Sequence, residues 1–92
     1  MKVEWTSASE TDRAAAVEYV AQDSPLAAIA LDDRFDEVAA LLSEHPFAGR
    51  LRPLDGLREF VADRSHKVVY EIGTVVRILA VVHAAQEERR HD

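Results

Sequence analysis

The sequence predicts an α+β fold of the order β-α-α-β-β-β, in which a short N-terminal strand precedes an antiparallel helix hairpin and a three-stranded antiparallel meander. Three observations predict it. Between Pro25 and His45 the apolar residues recur every three or four positions, the period of a helix with one buried face. From Gly56 onward the period falls to two, which is that of strands. The connections inside each half are only about two or three residues long, so neighbouring elements must run antiparallel. The 92 residues read as one domain, spanning 1–92.

Lys2, Val3, Glu4 and Trp5 alternate polar and apolar, predicting a first strand with Trp5 anchored in the core. Ser7 or Ser9 can then cap a helix, with Glu10 and Asp12 near its positive end. That helix extends from Glu10 to about Gln22, with Ala14, Val17 and Ala21 on one face and Arg13 on a solvated one. Ser24-Pro25 opens the second helix, with serine as N-cap and proline at the first helical position, where its missing N–H does no harm. Ala27 or Ala28, Leu31, Phe35, Val38 and Leu42 form its inward stripe, and Asp32, Asp33, Asp36 and Glu37 face water. His45-Pro46 ends it.

Beyond a loop from Pro46 to Gly56, Leu57, Glu59 and Val61 alternate with Arg58, Phe60 and Ala62. Val68, Tyr70 and Ile72 alternate with Lys67, Val69 and Glu71, and Val75 to His83 is β-branched and nearly all apolar. A strand apolar on both faces belongs at the centre of a sheet, with helices over one face and a second cover over the other, which another chain could supply. The charged tail Gln86 to Asp92 reads as frayed.

Composition narrows the function classes. With no cysteine there is no disulfide framework and no thiolate metal site, which fits a reducing cytoplasm. The polar N-terminus is no signal peptide and no apolar run approaches the ~20 residues of a membrane span, so a soluble, cytoplasmic protein is expected. His45, His66 and His91 lie far apart on unlike elements without metal-ligand spacing, and neither metal nor cofactor is expected. The net charge of −6 is uneven: residues 1–48 carry ten acids against three bases, and residues 49–92 seven acids against eight bases. Overall acidity argues against direct nucleic-acid binding. Yet Gly49 to Tyr70 holds five of the eleven positive charges, which marks a local basic surface.

Four motifs fall in order along the chain: Pro46-Phe47-Ala48-Gly49-Arg50, Gly56-Leu57-Arg58-Glu59, Val68-Val69-Tyr70 and Val81-Val82-His83. Together they resemble the RelE/ParE superfamily, the toxin halves of bacterial type II toxin–antitoxin pairs, over the stretch from Trp5 through His83. The resemblance implies a hetero-oligomer with a cognate, ParD-like antitoxin that folds along the toxin and covers the last strand; coupled folding of this kind commonly buries 1,000–3,000 Å².

The two branches imply different targets. RelE-type toxins cleave messenger RNA on the ribosome, whereas ParE-type toxins, also described as plasmid stabilisation proteins, are associated with DNA gyrase. Cleavage by the 2′-hydroxyl needs proton-transfer groups and cations around one phosphorus. For that alternative the resemblance points to Arg52, Arg58, Lys67 and His83 as catalytic residues. Two departures favour the ParE branch: Ala84 follows His83 where the nucleases have arginine, and their C-terminal tyrosine is absent. In the ParE reading Arg50, Arg52, Arg58, Lys67, Tyr70 and Arg77 form the surface for antitoxin or target. Arg50 and Arg52 read also as solvated loop charges, Tyr70 as a core aromatic and His83 as a structural histidine. A decayed toxin that keeps only antitoxin binding is a third reading.

Overall fold

A computed structural model describes residues 1–84, so the tail expected to fray lies outside the described residues. The elements are β1 (Val3–Trp5), α1 (Ser7–Ala21), α2 (Pro25–Glu44), β2 (Arg50–Leu51), β3 (Arg58–Val61), β4 (His66–Ile72) and β5 (Val76–His83). They form a five-stranded sheet of order β1-β5-β4-β3-β2, in which β1 runs parallel to β5 and every other pair is antiparallel. The expected order holds with one addition. Strand β2 lies inside the stretch read as loop, and its two residues pair Arg50 with Glu59 and Leu51 with Arg58. Two residues are too few to carry a period, so only the pairing reveals them.

Both helices take their caps from side-chain oxygens. Ser24 caps α2 as expected, its Oγ accepting the Ala27 N–H at 3.1 Å. The cap of α1 is Thr6 rather than Ser7 or Ser9, and the helix begins at Ser7. Thr6 Oγ1 accepts the Ser9 N–H at 3.1 Å while its hydroxyl donates to the Ile78 carbonyl at 2.9 Å. Thr6 is thus both cap and tie to β5.

The inward stripe of α2 is the expected one, with Ala28, Leu31, Phe35, Val38 and Leu42 buried. All but Ala28 join Val68, Tyr70, Val76, Ile78 and Val81 of the sheet in one core cluster. Strand β5 is central, and a bulge interrupts it: Val69 pairs with Ala80 and Tyr70 with Ile78, leaving Leu79 unmatched. Asp12 Oδ2 accepts the Val81 N–H at 3.1 Å, so the first helix satisfies a donor beside the bulge.

Arg13 corrects an expectation. Its side chain is only 17% exposed, with Nε on Asp32 Oδ1 and Nη2 on Asp36 Oδ1, both at 2.9 Å. The guanidinium carbon lies 4.8 Å from the centre of the Trp5 ring and 5.5 Å from that of Phe35, and the two rings meet edge to face at 6.2 Å. Burial pulls the Arg13 pKa down, but hydrogen bonds to Asp36 and Asp32 and their charges outweigh it, and the net shift is upward. Asp32 and Asp36 are thus partners of a clamp joining β1, α1 and α2. The misplacement follows from the alanine-rich helix: several stripes are equally apolar there, and the one facing inward is Ser9, Ala16, Val17 and Val20, with Ala14 exposed.

Replacing Arg13 by alanine strands the inner ends of two carboxylates and uncovers two rings, and should destabilise the fold by about 2 kcal/mol. Lys2→Ala, which removes an exposed 3.6 Å pair with Glu4, should change stability by less than about 0.5 kcal/mol. Urea denaturation of the two variants checks this, and equal small effects would return Arg13 to the solvated face.

Candidate functional site

Proline ends α2 at His45-Pro46, and the chain turns there, with the Ala48 N–H on the His45 carbonyl at 3.0 Å. Gly49 is thereby pressed against the sheet. A Cβ on Gly49 would stand 2.5 Å from the Tyr70 hydroxyl oxygen and 2.8 Å from the Glu59 carbonyl oxygen, so no larger residue fits. Tyr70 is fully buried; its hydroxyl donates to the Pro46 carbonyl at 2.7 Å and accepts the Gly49 N–H at 2.8 Å. Burial raises the Tyr70 pKa, against smaller opposing effects of the Gly49 hydrogen bond and the Arg58 charge. Arg58 Nη1 donates to the Gly49 carbonyl at 2.9 Å, and its guanidinium lies 4.9 Å from the centre of the Phe47 ring. Both backbone groups of Gly49 are therefore held, and Arg50 leaves the turn in one direction.

Register then sorts the charges, because directly paired residues share a sheet face. Leu51, Arg58 and Tyr70 are consecutive partners across β2, β3 and β4, on the side packed by the helices. Arg50, Glu59 and Val69 are the next row and point to the opposite face, as does Lys67 opposite Val61. There Glu59 Oε1 meets Arg50 Nη2 at 2.6 Å and Lys67 Nζ at 3.6 Å. The Glu59 side chain is 6% exposed, against 77% for Arg50.

The remaining candidates lie apart. Arg52 pairs with Asp55 within the β2–β3 loop at 3.1 Å. Arg77 faces Glu71 across β4 and β5 at 3.6 Å. His83 is on the helix-packed face, its ring 5.4 Å from that of buried His66, whose Nδ1 lies 3.0 Å from Asp63 Oδ1. Among the described residues no His, Cys, Asp or Glu group could hold a metal ion. The fold thus gathers Arg50 and Lys67 on one face and Arg58 and Tyr70 on the other. Buried Tyr70 offers no surface to a partner and acts as a staple. Sequence reasoning overlooked Glu59 as the centre of the cation pair; the signal was an acid at a position alternating with Leu57 and Val61.

The family model for the ParE toxin of type II toxin-antitoxin system, parDE, matches residues 3–88. The chain belongs to the ParE toxin family. Toxin RelE2 of Caulobacter vibrioides is 35% identical over 86 residues, covering 92% of this chain and 97% of that protein. A chain of the chromosomal ParDE TA system from P. aeruginosa has the same fold, with a TM-score of 0.75 at 23% identity over 90% of this chain and 95% of its own. The resemblance to the RelE/ParE superfamily therefore holds, as does the α+β fold it implies, and the protein is a type II toxin whose class implies an antitoxin partner. No helix among the described residues of this ParE-family toxin is long and apolar enough to cross a membrane.

Tyr70→Phe should destabilise the toxin by about 1–3 kcal/mol, because the Gly49 N–H and the Pro46 carbonyl both lose a buried partner. Gly49→Ala should cost at least as much, since its Cβ collides with backbone as well as with Tyr70. Chemical denaturation measures both, and a neutral Tyr70→Phe would show that the staple is dispensable.

Asp63 gives a pH signature. Burial raises its pKa, but the hydrogen bond from the Ser65 N–H and the hydrogen bond and charge of His66 outweigh it and bring it below the usual 3.8. A carboxyl depressed by folding contributes stability above its unfolded pKa and loses it as pH falls through the folded one. Asp63→Asn should therefore flatten the loss of stability below about pH 4, read as the urea midpoint against pH. An acid limb as steep as in the wild type would remove Asp63 from it.

Proposed function

We propose that this toxin acts as a ParE-like protein binder whose target is DNA gyrase, and that in the cytoplasm a ParD-like antitoxin holds it inactive in a hetero-oligomer. One observation carries the choice between binder and nuclease: Arg52, Arg58, Lys67 and His83 do not converge. Arg58 is committed to Gly49 and Phe47 on the helix-packed face, and His83 meets His66 four β4 positions away from Tyr70, the partner of Arg58. Lys67 is on the opposite face, and Arg52 is in a loop with Asp55. Cleavage of a phosphodiester needs cations and proton donors around a single phosphorus, and the spacing of these four described residues does not favour such a centre.

The edge of the sheet around β2 and β3 suits a polypeptide. Phe47, Leu51, Leu54 and Val61 are exposed around the two short outer strands. Apolar residues next to a basic group, on a protein that is acidic elsewhere, fit a segment carrying both apolar and acidic side chains.

The test supplies purified toxin with gyrase and DNA, and separately with translating ribosomes. Trapped gyrase–DNA complexes with intact messenger are expected. Site-specific messenger cleavage that disappears in Lys67→Ala or His83→Ala would replace this reading by the RelE-type one, and inactivity in both assays with antitoxin binding retained would mark a decayed toxin. On the antitoxin side, Arg50→Gln should slow association about threefold or more at low salt and little at high salt, as a rim charge does. Stopped-flow mixing at two salt concentrations reads it.

A further inference from the structure

The tip of the helix hairpin carries an apolar pair that the core does not use. Leu26 and Ile29 lie three residues apart on α2 and are 80% and 60% exposed, on the side turned away from the buried stripe of Ala28, Leu31 and Phe35. The charge around them has one sign. Residues 14–33 contain Glu18, Asp23, Asp32 and Asp33 and no Lys, Arg or His. The bases that follow and precede this stretch are committed, Arg13 to Asp32 and Asp36, and Arg34 to the Ala62 carbonyl and Glu37. Glu18, Asp23 and Asp33 are exposed. Arg13 of α1 reaches Asp32 and Asp36 of α2, and the two helices run antiparallel, so a step up α1 matches a step down α2 and Glu18 comes level with Ile29. Glu18 also stands in the last turn of α1, at the negative end of the helix dipole, where a base would be favoured and none occurs. Helix stability does not account for that acid.

We propose that the outer face of the hairpin tip, with Leu26 and Ile29 flanked by Glu18 and Asp33, docks a basic amphipathic helix of a partner protein. Two aliphatic side chains one turn apart form a ridge against which a third helix packs. Acids on both helices of the hairpin then select lysine or arginine beside the apolar stripe of the incoming helix. The same acids repel the segment that suits the edge around β2 and β3, which carries acidic side chains, so the two surfaces take different partners. The hairpin tip of a second copy of this chain brings the same acids and is repelled as well. The toxin therefore presents two docking surfaces of opposite sign, one before α2 has run its course and one after it. The 20 residues of α2, about 30 Å of helix, hold them apart, so that both can be occupied at once.

The experiment measures fluorescence anisotropy of a labelled synthetic peptide of about 18 residues, leucine and lysine at helical spacing, and of its leucine–glutamate counterpart, with the full-length toxin. Wild type is expected to bind the leucine–lysine peptide at least about tenfold more tightly than the other at about 50 mM salt, a preference that shrinks at about 500 mM. Leu26→Ser/Ile29→Ser, at exposed positions outside the core, should weaken that binding about fivefold or more at both salt concentrations. Glu18→Gln/Asp33→Asn should weaken it about threefold or more at low salt and little at high salt. Glu10→Gln/Glu44→Gln removes the same charge from the opposite end of the hairpin and should stay within about twofold of wild type. Equal losses in the two charge variants, or undiminished binding by Leu26→Ser/Ile29→Ser, would mean attraction to net charge alone and overturn the proposal. A concentration-dependent dimer in ultracentrifugation that Leu26→Ser/Ile29→Ser abolishes would give this face to a second copy and overturn it too. Neither result bears on the gyrase reading, which the trapping of gyrase–DNA complexes decides.

Discussion

The hydroxyl of Tyr70 is the point on which the surface of this toxin depends. It is a buried group that must find partners, and it finds them in the turn leaving the helix hairpin, as donor to Pro46 and acceptor from Gly49. Those two bonds join the layers. The hairpin delivers the turn, the sheet supplies the tyrosine, and the turn in turn begins β2. Arg58 adds a third bond from the neighbouring strand, so the path of residues 46–51 is set by buried and part-buried bonds to the sheet.

Opposite alternation on adjacent rows of the sheet gives the molecule its sidedness. One residue's difference in register separates Arg58, which faces the core and stacks on Phe47, from Glu59, which faces outward between two cations. The basic residues that look like one cluster in the sequence are therefore two, with different work. Those on the inner side hold the turn, and those on the outer side face whatever the toxin meets. The Arg13 clamp shows the same logic in the helical layer, where a cation among carboxylates and rings ties three elements together.

How much of this was legible depended on whether a local rule controlled it. The stripe of α2, its Ser24 cap, the change of period at Gly56 and the central place of β5 follow from periodicity and turn length, and all appear in the structure. The opposite orientation of Arg58 and Glu59 also followed from the pleat. What failed depended on partners distant in sequence. Thr6 was overlooked because its advantage is a bond to Ile78, and Arg13 because its ligands lie on the next helix. Strand β2 exists only by pairing, and the convergence of Arg50 and Lys67 on Glu59 needed three strands in register. The candidate residues carried by the family resemblance were real features of the surface or its support, but their number concealed their separation onto two faces.

The pairing of β1 with β5 has a consequence for how the chain comes into being. The first strand lies beside the last, and Thr6 and Asp12 bond to Ile78 and Val81 across about seventy residues. During synthesis the N-terminal strand and the start of α1 must wait, unpaired, until almost the whole chain has left the ribosome. The helix hairpin can form locally and early, but the sheet closes only at the end, when its central strand arrives between two edges already made. The toxin is thus complete all at once or not at all, and a chain cut short before β5 loses its beginning as well as its end.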